Sequence, residues 1–304
     1  MKTILTAVAA AAIAVCAQAQ TRKVAPAEQD YTINDIVSAS GQNVTYQWFR
    51  DGAAIAGATG ASYTVPASLA KMENGLGDNY TLGSVFQRAA YGIDCAGGMA
   101  MSNEIVVYFC ELMVNGVCWA RANSDVYGKI TSNPYVFGGI YQWNVPAAYS
   151  STSPAAGAAV SGWNSTPDYT TPTWTSGVPC PSGWRLPTPQ DFRNLHAMSQ
   201  PVGGVWVQGG ARGVPAGTNG RLYGYNTTYC TMSSMSGCVF LPAAGVRDPS
   251  NGALTNQGIS GYYWSDRRNT SSTVFAFTCD GSSSVLGASR SSNGFSIRCV
   301  QDVQ

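Results

Sequence analysis

Charged side chains are scarce in this chain of 304 residues, where Asp, Glu, Lys and Arg make up 11% of the sequence, against about 25% in ordinary globular domains. The 17 basic and 16 acidic residues nearly cancel, and no run of Lys or Arg occurs. A groove for nucleic acid or a face for an anionic membrane is therefore not expected. Surface polarity must come from hydroxyl and amide side chains.

Catalytic residue types are equally few. The only histidine, His196, lies one helical turn from Phe192 and beside Leu195, a pattern that favours helix packing over general-base chemistry. No serine sits in a Gly-x-Ser-x-Gly elbow. The sequence therefore predicts no catalytic triad, and we expect no catalytic residue, metal or cofactor.

Long apolar runs are missing except near the start. Lys2, an apolar run from Ile4 to Val15 and Ala17-Gln-Ala19 follow the order of a secretory signal, so residues 1–19 are predicted to be a signal peptide that is cleaved before Gln20. The run is far shorter than the ~20 residues of a membrane-spanning helix. We expect an exported protein without a transmembrane segment, secreted or at the cell surface, with a lipid anchor through Cys16 as the alternative.

Cysteines are present in an even number once Cys16 is removed, and no C-x-x-C pair occurs among them. In an exported chain this favours disulfides over metal ligands or reactive thiols. Cys230 and Cys238 flank a short Ser/Met/Gly segment and predict a local bridge, while Cys180 with Cys299 would tie two distant segments. Pairings of the other cysteines, Cys95, Cys110, Cys118 and Cys279, stay open.

The N-terminal part reads as β structure. Residues 20–29 suit a linker, and residues 44–48 alternate as a half-buried strand before a turn at Arg50-Asp51-Gly52. Further strands are expected at 62–65, 85–89 and 105–109. Thr45-Tyr-Gln-Trp-Phe-Arg-Asp-Gly52 and the following Ile55–Val65 resemble bacterial immunoglobulin-like modules, which implies an all-β sandwich over residues 30–111 with Trp48 in its core. No cysteine precedes Trp48, so the inter-sheet disulfide of antibody domains cannot form.

The sequence pattern changes near residue 112. Asn115-Gly116 predicts a turn before a strand, and the Ser/Thr/Ala/Pro-rich residues 149–179 predict a long loop or insertion. Thr188-Pro189 is typical of a helix N-cap and first position, and the apolar spacing carries this helix to about Met198. The remainder after Gln200 reads as short strands and loops.

A series of motifs in this second region resembles the Fibrobacter succinogenes major domain family over residues 112–304. They are Asn115-Gly-Val-Cys-Trp-Ala120, Tyr141-Gln-Trp143, Cys180-Pro-Ser-Gly-Trp-Arg-Leu-Pro-Thr188, Asp191-Phe192, Leu241-Pro-Ala-Ala-Gly245, Tyr263-Trp-Ser265 and Gly294-Phe-Ser-Ile-Arg-Cys-Val300. The resemblance implies an α+β, loop-rich fold of the C-type-lectin-like kind, with a helix pair, a small twisted sheet and a ligand face made of loops. It also implies that Trp184, Arg185 and Trp264 belong to the framework, with Arg185 bridging loop carbonyls.

The ligand face is expected near the last strands. Variable binding proteins of diversity-generating retroelements share the broad fold, and the segment from Tyr262 to Asn293 resembles their mutable loops; a plain Ser-rich surface loop is the alternative. Tyrosine rings can stack on sugars or anchor a protein partner. The candidate ligand-binding residues are Tyr223, Tyr225, Tyr262, Tyr263, Asp266, Arg267, Arg268, Asn269 and Asn293.

Three functions remain open at this point. An adhesin-like bacterial surface protein that binds a glycan or protein is the favoured one. Calcium-dependent sugar binding is not expected, because Trp264-Ser265-Asp266 only echoes the lectin calcium motif and no Glu-Pro-Asn precedes it. The alternatives are a structural subunit of a surface appendage or envelope layer and an oxidative enzyme resembling the formylglycine-generating enzymes, which would need exposed free thiols.

Overall fold

A computed structural model is the basis for the description of the chain. It describes residues 21–26, 30–34, 44–66, 84–91, 99–102, 104–110, 112–125, 129–131, 133–167, 171–175, 179–181, 184–232, 235 and 237–302. The expected signal peptide, the alternative anchor at Cys16 and Cys95 lie outside these residues.

The described residues fall into two compact units. The first, called the N-terminal unit, takes its described residues from 21–23, 30–65 and 84–108, and the second, called the C-terminal unit, takes them from 24–26, 66 and 109–302. Most of the regular structure is β-sheet, and the described part contains one α-helix. The boundary expected at 111/112 lies close to residue 109, while the immunoglobulin-like and C-type-lectin-like identities of the two units stay predictions.

The first 110 residues of the chain contain a six-stranded sheet in the order β1-β8-β6-β3-β4, with β7 paired to β6, and a separate pair β2-β5. The strands are β1 Thr21–Pro26, β2 Tyr31–Ile33, β3 Thr45–Arg50, β4 Ala53–Ala54, β5 Tyr63–Val65, β6 Ser84–Tyr91, β7 Met99–Met101 and β8 Ile105–Cys110.

Strand β3 carries the main anchor of the N-terminal unit. Trp48 is fully buried, and its Nε1 donates to the carbonyl of Gly60 at 2.9 Å. The predicted turn is confirmed, because Asp51 and Gly52 both have positive φ (50° and 81°), the geometry of a tight hairpin. The hairpin partner is the short β4, whereas the strand predicted at 62–65 pairs with β2.

The expectation that residues 20–29 form a linker is wrong in part, because Thr21–Pro26 forms β1. This strand pairs with β8 at the edge of the sheet. Pro26 ends this strand, and proline is largely confined to edge strands and strand ends because it has no N–H to donate to a ladder. Polar composition alone did not separate an edge strand from a linker.

The C-terminal unit contains three sheets. The largest has the order β16-β15-β20-β17-β18-β19, with β11 paired to β20; two three-stranded sheets have the orders β12-β13-β14 and β21-β10-β9. The strands are β9 Leu112–Val114, β10 Val117–Trp119, β11 Ile140–Gln142, β12 Val205–Val207, β13 Gly220–Gly224, β14 Cys238–Pro242, β15 Val246–Arg247, β16 Leu254–Thr255, β17 Ser260–Arg268, β18 Thr273–Asp280, β19 Ser284–Arg290, β20 Gly294–Ser296 and β21 Val300–Asp302.

The largest sheet is covered on both faces. Neighbouring residues of a strand point to opposite faces, and Trp264 and Ala276 join one buried cluster while Tyr263 and Phe277 join another. The second cluster includes Phe192 and Leu195 of helix α1, Pro189–Met198. Phe192 stacks on Phe277 with ring centroids 4.8 Å apart.

Helix α1 is confirmed at its predicted start. Thr188 accepts a hydrogen bond from the backbone N–H of Asp191, whose carboxylate accepts one from the backbone of Thr188 in return, so a capping box closes the first turn. The helix pair implied by the family resemblance is not found, since the described residues contain only α1. Ser, Thr and Pro dominate residues 149–179, and their described part has only isolated bridges.

Three buried arginines fasten loops to this unit through backbone carbonyls. Arg247 donates to the carbonyls of Ser150, Ser153 and Gly252, and Arg221 donates to those of Gly203, Gly204, Asp280 and Ser283. Arg298 donates to three carbonyls and to Asn123. The planar fork of guanidinium donors suits several acceptors at once.

Disulfides close three further connections. The predicted bridges Cys180–Cys299 and Cys230–Cys238 are present, and Cys110 pairs with Cys118. The expectation that all eight cysteines are oxidised is wrong for Cys279, a buried thiol on β18. Burial raises its pKa to about 12, and the nearby Tyr223 hydroxyl opposes this shift. No described helix is both long and apolar enough to cross a bilayer.

Candidate ligand-binding surface

Two turns meet at one end of the largest sheet. Strands β17 and β18 pair from Ser260↔Asp280 to Arg268↔Val274, so the turn at 269–272 lies at the far end. Thr273 pairs with Arg290 on β19, which places the turn that ends at Asn293 at that same end. We call Asp266, Arg267, Arg268, Asn269, Arg290 and Asn293 the hairpin-end surface.

The backbone beneath this surface is held by loops from two other parts of the chain. The Trp174 N–H donates to the carbonyl of Asp266 at 3.0 Å, and the Arg268 N–H donates to that of Pro172 at 3.0 Å. The Asp266 N–H donates to Pro187 at 2.9 Å. These bonds are available because the β17–β18 register shifts between Trp264 and Arg268, which frees backbone groups from the ladder.

Loop 171–175 is fixed in turn. The Asn144 side-chain oxygen accepts from the Thr175 N–H at 2.7 Å, and its amide donates to the Thr171 hydroxyl at 3.2 Å. Trp143 packs edge-on against Trp174, and its Nε1 donates to the Ser265 carbonyl at 3.1 Å. The hairpin end therefore rests on a bonded frame.

Charge on the surface is mainly cationic. The Arg267 side chain is 55% exposed, with its Nε 3.3 Å from Asp266 Oδ2. Arg290 is exposed and Arg268 half-buried. Asp266 is the only acid of the group. Its Oδ1 is buried and has no hydrogen-bond partner among the described residues, and desolvation raises its pKa while Arg267 opposes the shift. Such an arrangement favours an anionic or hydrogen-bond-accepting ligand.

The two asparagines are held in place by their amide groups. Asn269 donates from its side chain to the Thr273 hydroxyl at 3.3 Å, and Asn293 donates to the Ser289 hydroxyl at 3.0 Å. Each fixed amide keeps an oxygen that can accept a further bond. Ser282, within the segment from Tyr262 to Asn293, lies in the β18–β19 turn at the opposite end of the sheet, and its hydroxyl donates to Asp280 Oδ1.

The predicted tyrosines do not converge on this surface. Tyr223 and Tyr263 are fully buried, so the expectation that they contact a ligand is wrong. Tyr223 lies on a strand that is buried at all five positions, and the Tyr263 hydroxyl donates to the Pro242 carbonyl at 2.7 Å. Tyr262 is half-buried, stacks on Phe295 and accepts from Asn256. Tyr225 is exposed but follows β13, on a different sheet.

The predicted framework residues are buried or bonded. Trp264 is fully buried and its Nε1 donates to the Tyr141 carbonyl at 2.8 Å, and Trp184 is nearly buried. Arg185 donates to the carbonyl of Leu186 at 3.0 Å and pairs with Asp191 at 2.7 Å.

His196, the only histidine of the chain, contacts a serine hydroxyl. His196 Nδ1 lies 2.9 Å from the Ser284 hydroxyl, which itself lies 3.1 Å from its acceptor, the Gly203 carbonyl. Because that hydroxyl has one proton to give, the histidine is the donor of this pair. The described residues include no group of three His, Cys, Asp or Glu that could hold a metal ion.

Sequence reasoning missed the loop after β13, where Tyr229 is the most exposed large hydrophobic side chain of the described residues and Asn226 and Thr228 are exposed beside it. Its signal was available, since the Tyr-Asn-Thr-Thr-Tyr segment directly precedes the predicted local bridge at Cys230.

Comparison with protein-family models gives no match, and a search of curated proteins gives none either.

Proposed function

We propose that this chain is an exported, adhesin-like binding protein of a bacterial surface, and that its C-terminal unit has the C-type-lectin-like fold of the Fibrobacter succinogenes major domain family. Its N-terminal unit would be an immunoglobulin-like spacer. The ligand is an acidic glycan or an acidic protein segment, recognised at the hairpin-end surface. The disulfides are compatible with an extracellular protein.

One observation carries this proposal. The hairpin end presents exposed guanidinium and amide groups on a backbone that is bonded to loops 172–174 and 187. A surface that is ordered before binding loses little conformational entropy when the ligand arrives. Guanidinium forks add strength and direction, because they bind carboxylate, sulfate or phosphate with two parallel bonds.

The test uses the full chain purified from an oxidising compartment and immobilised for interferometry. The probes are heparin, polygalacturonate and a polyglutamate peptide, with dextran as the neutral control. Arg267→Ala should weaken binding by roughly ten- to a hundredfold, the effect of losing one charge-assisted hydrogen bond, and should reduce the salt dependence. Arg193→Ala is the matched control, since Arg193 is an exposed arginine on α1.

Equal effects of the two substitutions would show that charge alone, and not the hairpin end, governs binding. Indifference to all three acidic probes would contradict the acidic-ligand assignment. A preference for dextran would do the same.

One separate feature favours the alternative function, a structural subunit of a surface appendage or envelope layer. Strand β19 lies at the edge of the largest sheet in the described residues, and Val285, Gly287 and Ala288 on it are exposed. Such an edge can pair with another chain. Sedimentation velocity of the full chain and of Val285→Lys distinguishes the two functions: self-association that the lysine abolishes would favour the subunit.

The oxidative-enzyme alternative needs a reactive thiol. Six described cysteines are paired, and the pKa of Cys279 is raised by burial to about 12, which suppresses the thiolate. These features favour binding. A thiol count on the native chain, with peptide mapping of the bridges, tests this directly, because an exposed reactive pair in the C-terminal unit would favour redox chemistry.

A further inference from the structure

A second exposed feature of the C-terminal unit lies away from the hairpin end, in the loop between β13 and β14. Tyr225 is 55% and Tyr229 79% exposed, and they are the only exposed aromatic side chains among the described residues. Asn226 and Thr228 between them are also exposed, while Thr227 is buried. We call residues 225–229 the tyrosine loop.

The backbone of the tyrosine loop is fixed from below. The Arg212 guanidinium donates to the carbonyls of Thr227, Thr228 and Cys230. The Thr227 hydroxyl donates to the Gln200 carbonyl at 2.7 Å, and the Cys230–Cys238 disulfide closes the segment that follows. The loop therefore holds one conformation while four of its five side chains face solvent.

The Tyr225 ring is fixed as well, because its hydroxyl donates to the Met113 carbonyl at 2.7 Å. The ring remains more than half exposed although its polar edge is already bonded. A ring held in this way offers its face to a ligand with little loss of rotamer entropy. Tyr229 has no hydrogen bond from its hydroxyl to any described residue, so its polar edge is available.

The chemistry around the rings is uncharged. Asn226 and Thr228 contribute an amide and a hydroxyl whose side chains make no hydrogen bond within the described residues. Arg212 is the charged side chain in contact with the loop, and its guanidinium is turned toward the three carbonyls. Rings for an apolar face, with amides and hydroxyls for polar edges, match the two-sided character of a sugar ring.

The size of the tyrosine loop also distinguishes its ligand. A stable protein interface takes about 20–30 residues from each partner, whereas this loop exposes four side chains on five residues. That is the scale of one or two sugar units. We propose that the tyrosine loop is a carbohydrate-binding site that takes a neutral pyranose against the tyrosine rings, with Asn226 and Thr228 bonding its hydroxyls.

Affinity electrophoresis of the full chain tests the proposal. Native gels contain dissolved hydroxyethyl cellulose, glucomannan, xylan or amylose, and retardation is measured against polysaccharide concentration. At least one of these polymers should retard the wild-type chain. Tyr229→Ala should weaken this binding about tenfold, the effect of losing one ring-face contact.

Two controls separate the site from the fold and from the hairpin end. Val285→Ala removes a side chain of similar exposure on β19 and should change binding less than twofold. Nitration of Tyr229, mapped by mass spectrometry, should slow when the retarding polysaccharide is present. Tyr229→Ala should unfold at the wild-type temperature, since its side chain makes no hydrogen bond with the described residues.

Several outcomes would overturn the inference. Absence of retardation by all four polymers is one, and equal retardation of Tyr229→Ala and wild type is another. Retardation lost in Arg267→Ala but kept in Tyr229→Ala would place the neutral sugar at the hairpin-end surface and would remove this second site. A protein partner that depends on Tyr229, without any retardation, would replace the carbohydrate.

Discussion

Removing the Arg298 guanidinium should destabilise the C-terminal unit strongly. Arg298 is fully buried, and it donates to the carbonyls of Ala120 (2.9 Å), Arg121 (2.6 Å) and Phe240 (2.7 Å). Its Nε donates to Asn123 Oδ1 at 2.9 Å. Arg298→Met keeps the length of the side chain but leaves these four acceptors without this donor.

The expected magnitude follows from the four lost bonds. At about 1 kcal/mol for each acceptor, the lower end for buried polar groups, the free energy of unfolding falls by about 4 kcal/mol. Domains of ordinary stability unfold with about 5–15 kcal/mol, so the variant should still fold. With a urea dependence of about 2 kcal/mol/M, the midpoint should fall by about 2 M.

Urea unfolding followed by tryptophan fluorescence measures this midpoint. Trp48 is the only one of the eight tryptophans outside the C-terminal unit, so the signal reports mainly on that unit. Arg298→Lys keeps the charge but not the fork and should lose about half as much stability. Arg193→Met is the control on an exposed arginine. The reasoning fails if Arg298→Met shifts the midpoint no further than Arg193→Met.

Three further predictions concern single side chains. Cys279 should resist iodoacetamide at pH 8 in the folded chain and react in urea, because burial raises its pKa to about 12; rapid native alkylation of its peptide would contradict this. Thr188→Ala should lower the free energy of unfolding by about 1 kcal/mol through loss of the N-cap, which is measured as a lower urea midpoint. An unchanged midpoint would show that the cap does not stabilise the unit. Asp266→Asn should gain stability relative to wild type as pH rises from 3.5 to 7. Burial raises the Asp266 pKa in the folded state, so the unfolded chain loses this proton first and wild-type stability falls above pH ~4. A pH-independent difference in urea midpoint between the two proteins would refute the assignment.

Local signals in the sequence were read correctly because the physics behind them is local. The Thr188-Pro189 start of α1 depends on groups within one helical turn, and the Asp51-Gly52 turn depends on backbone angles that those residues tolerate. The bridge Cys230–Cys238 also joins residues close in sequence. Each needed no knowledge of distant packing.

The tyrosines show a limit of prediction from local sequence patterns. Tyr262 and Tyr263 are adjacent on β17 and must face opposite sides of the sheet, so at most one can belong to a given surface. The sequence does not show that both sides are covered, one by the cluster around Trp264 and the other by α1. Tyr263 is buried for that reason. Parity of the cysteine count likewise does not reveal that Cys279 stays a thiol.

The hairpin-end surface and the tyrosine loop could be predicted from the sequence only in part, for a related reason. Residues 266–269 and 293 were expected to face a ligand, and their common position at one end of the sheet follows from the β18–β19 register, which no local pattern specifies. Tyr229 was overlooked although its segment directly precedes the predicted bridge at Cys230. The support that Arg212 gives to this loop backbone is not visible in the sequence.

The scarcity of charge is linked to the way in which the loops are held. A buried guanidinium usually needs a carboxylate, yet Arg221 and Arg247 donate to backbone carbonyls. Loop carbonyls need donors in a chain with few helices, and one arginine satisfies several of them. This frame does not draw on the exposed side chains of Arg267, Asn226 or Tyr229. Those side chains can therefore change with stability effects within about 0.5 kcal/mol, so that ligand choice and folding are set by different residues.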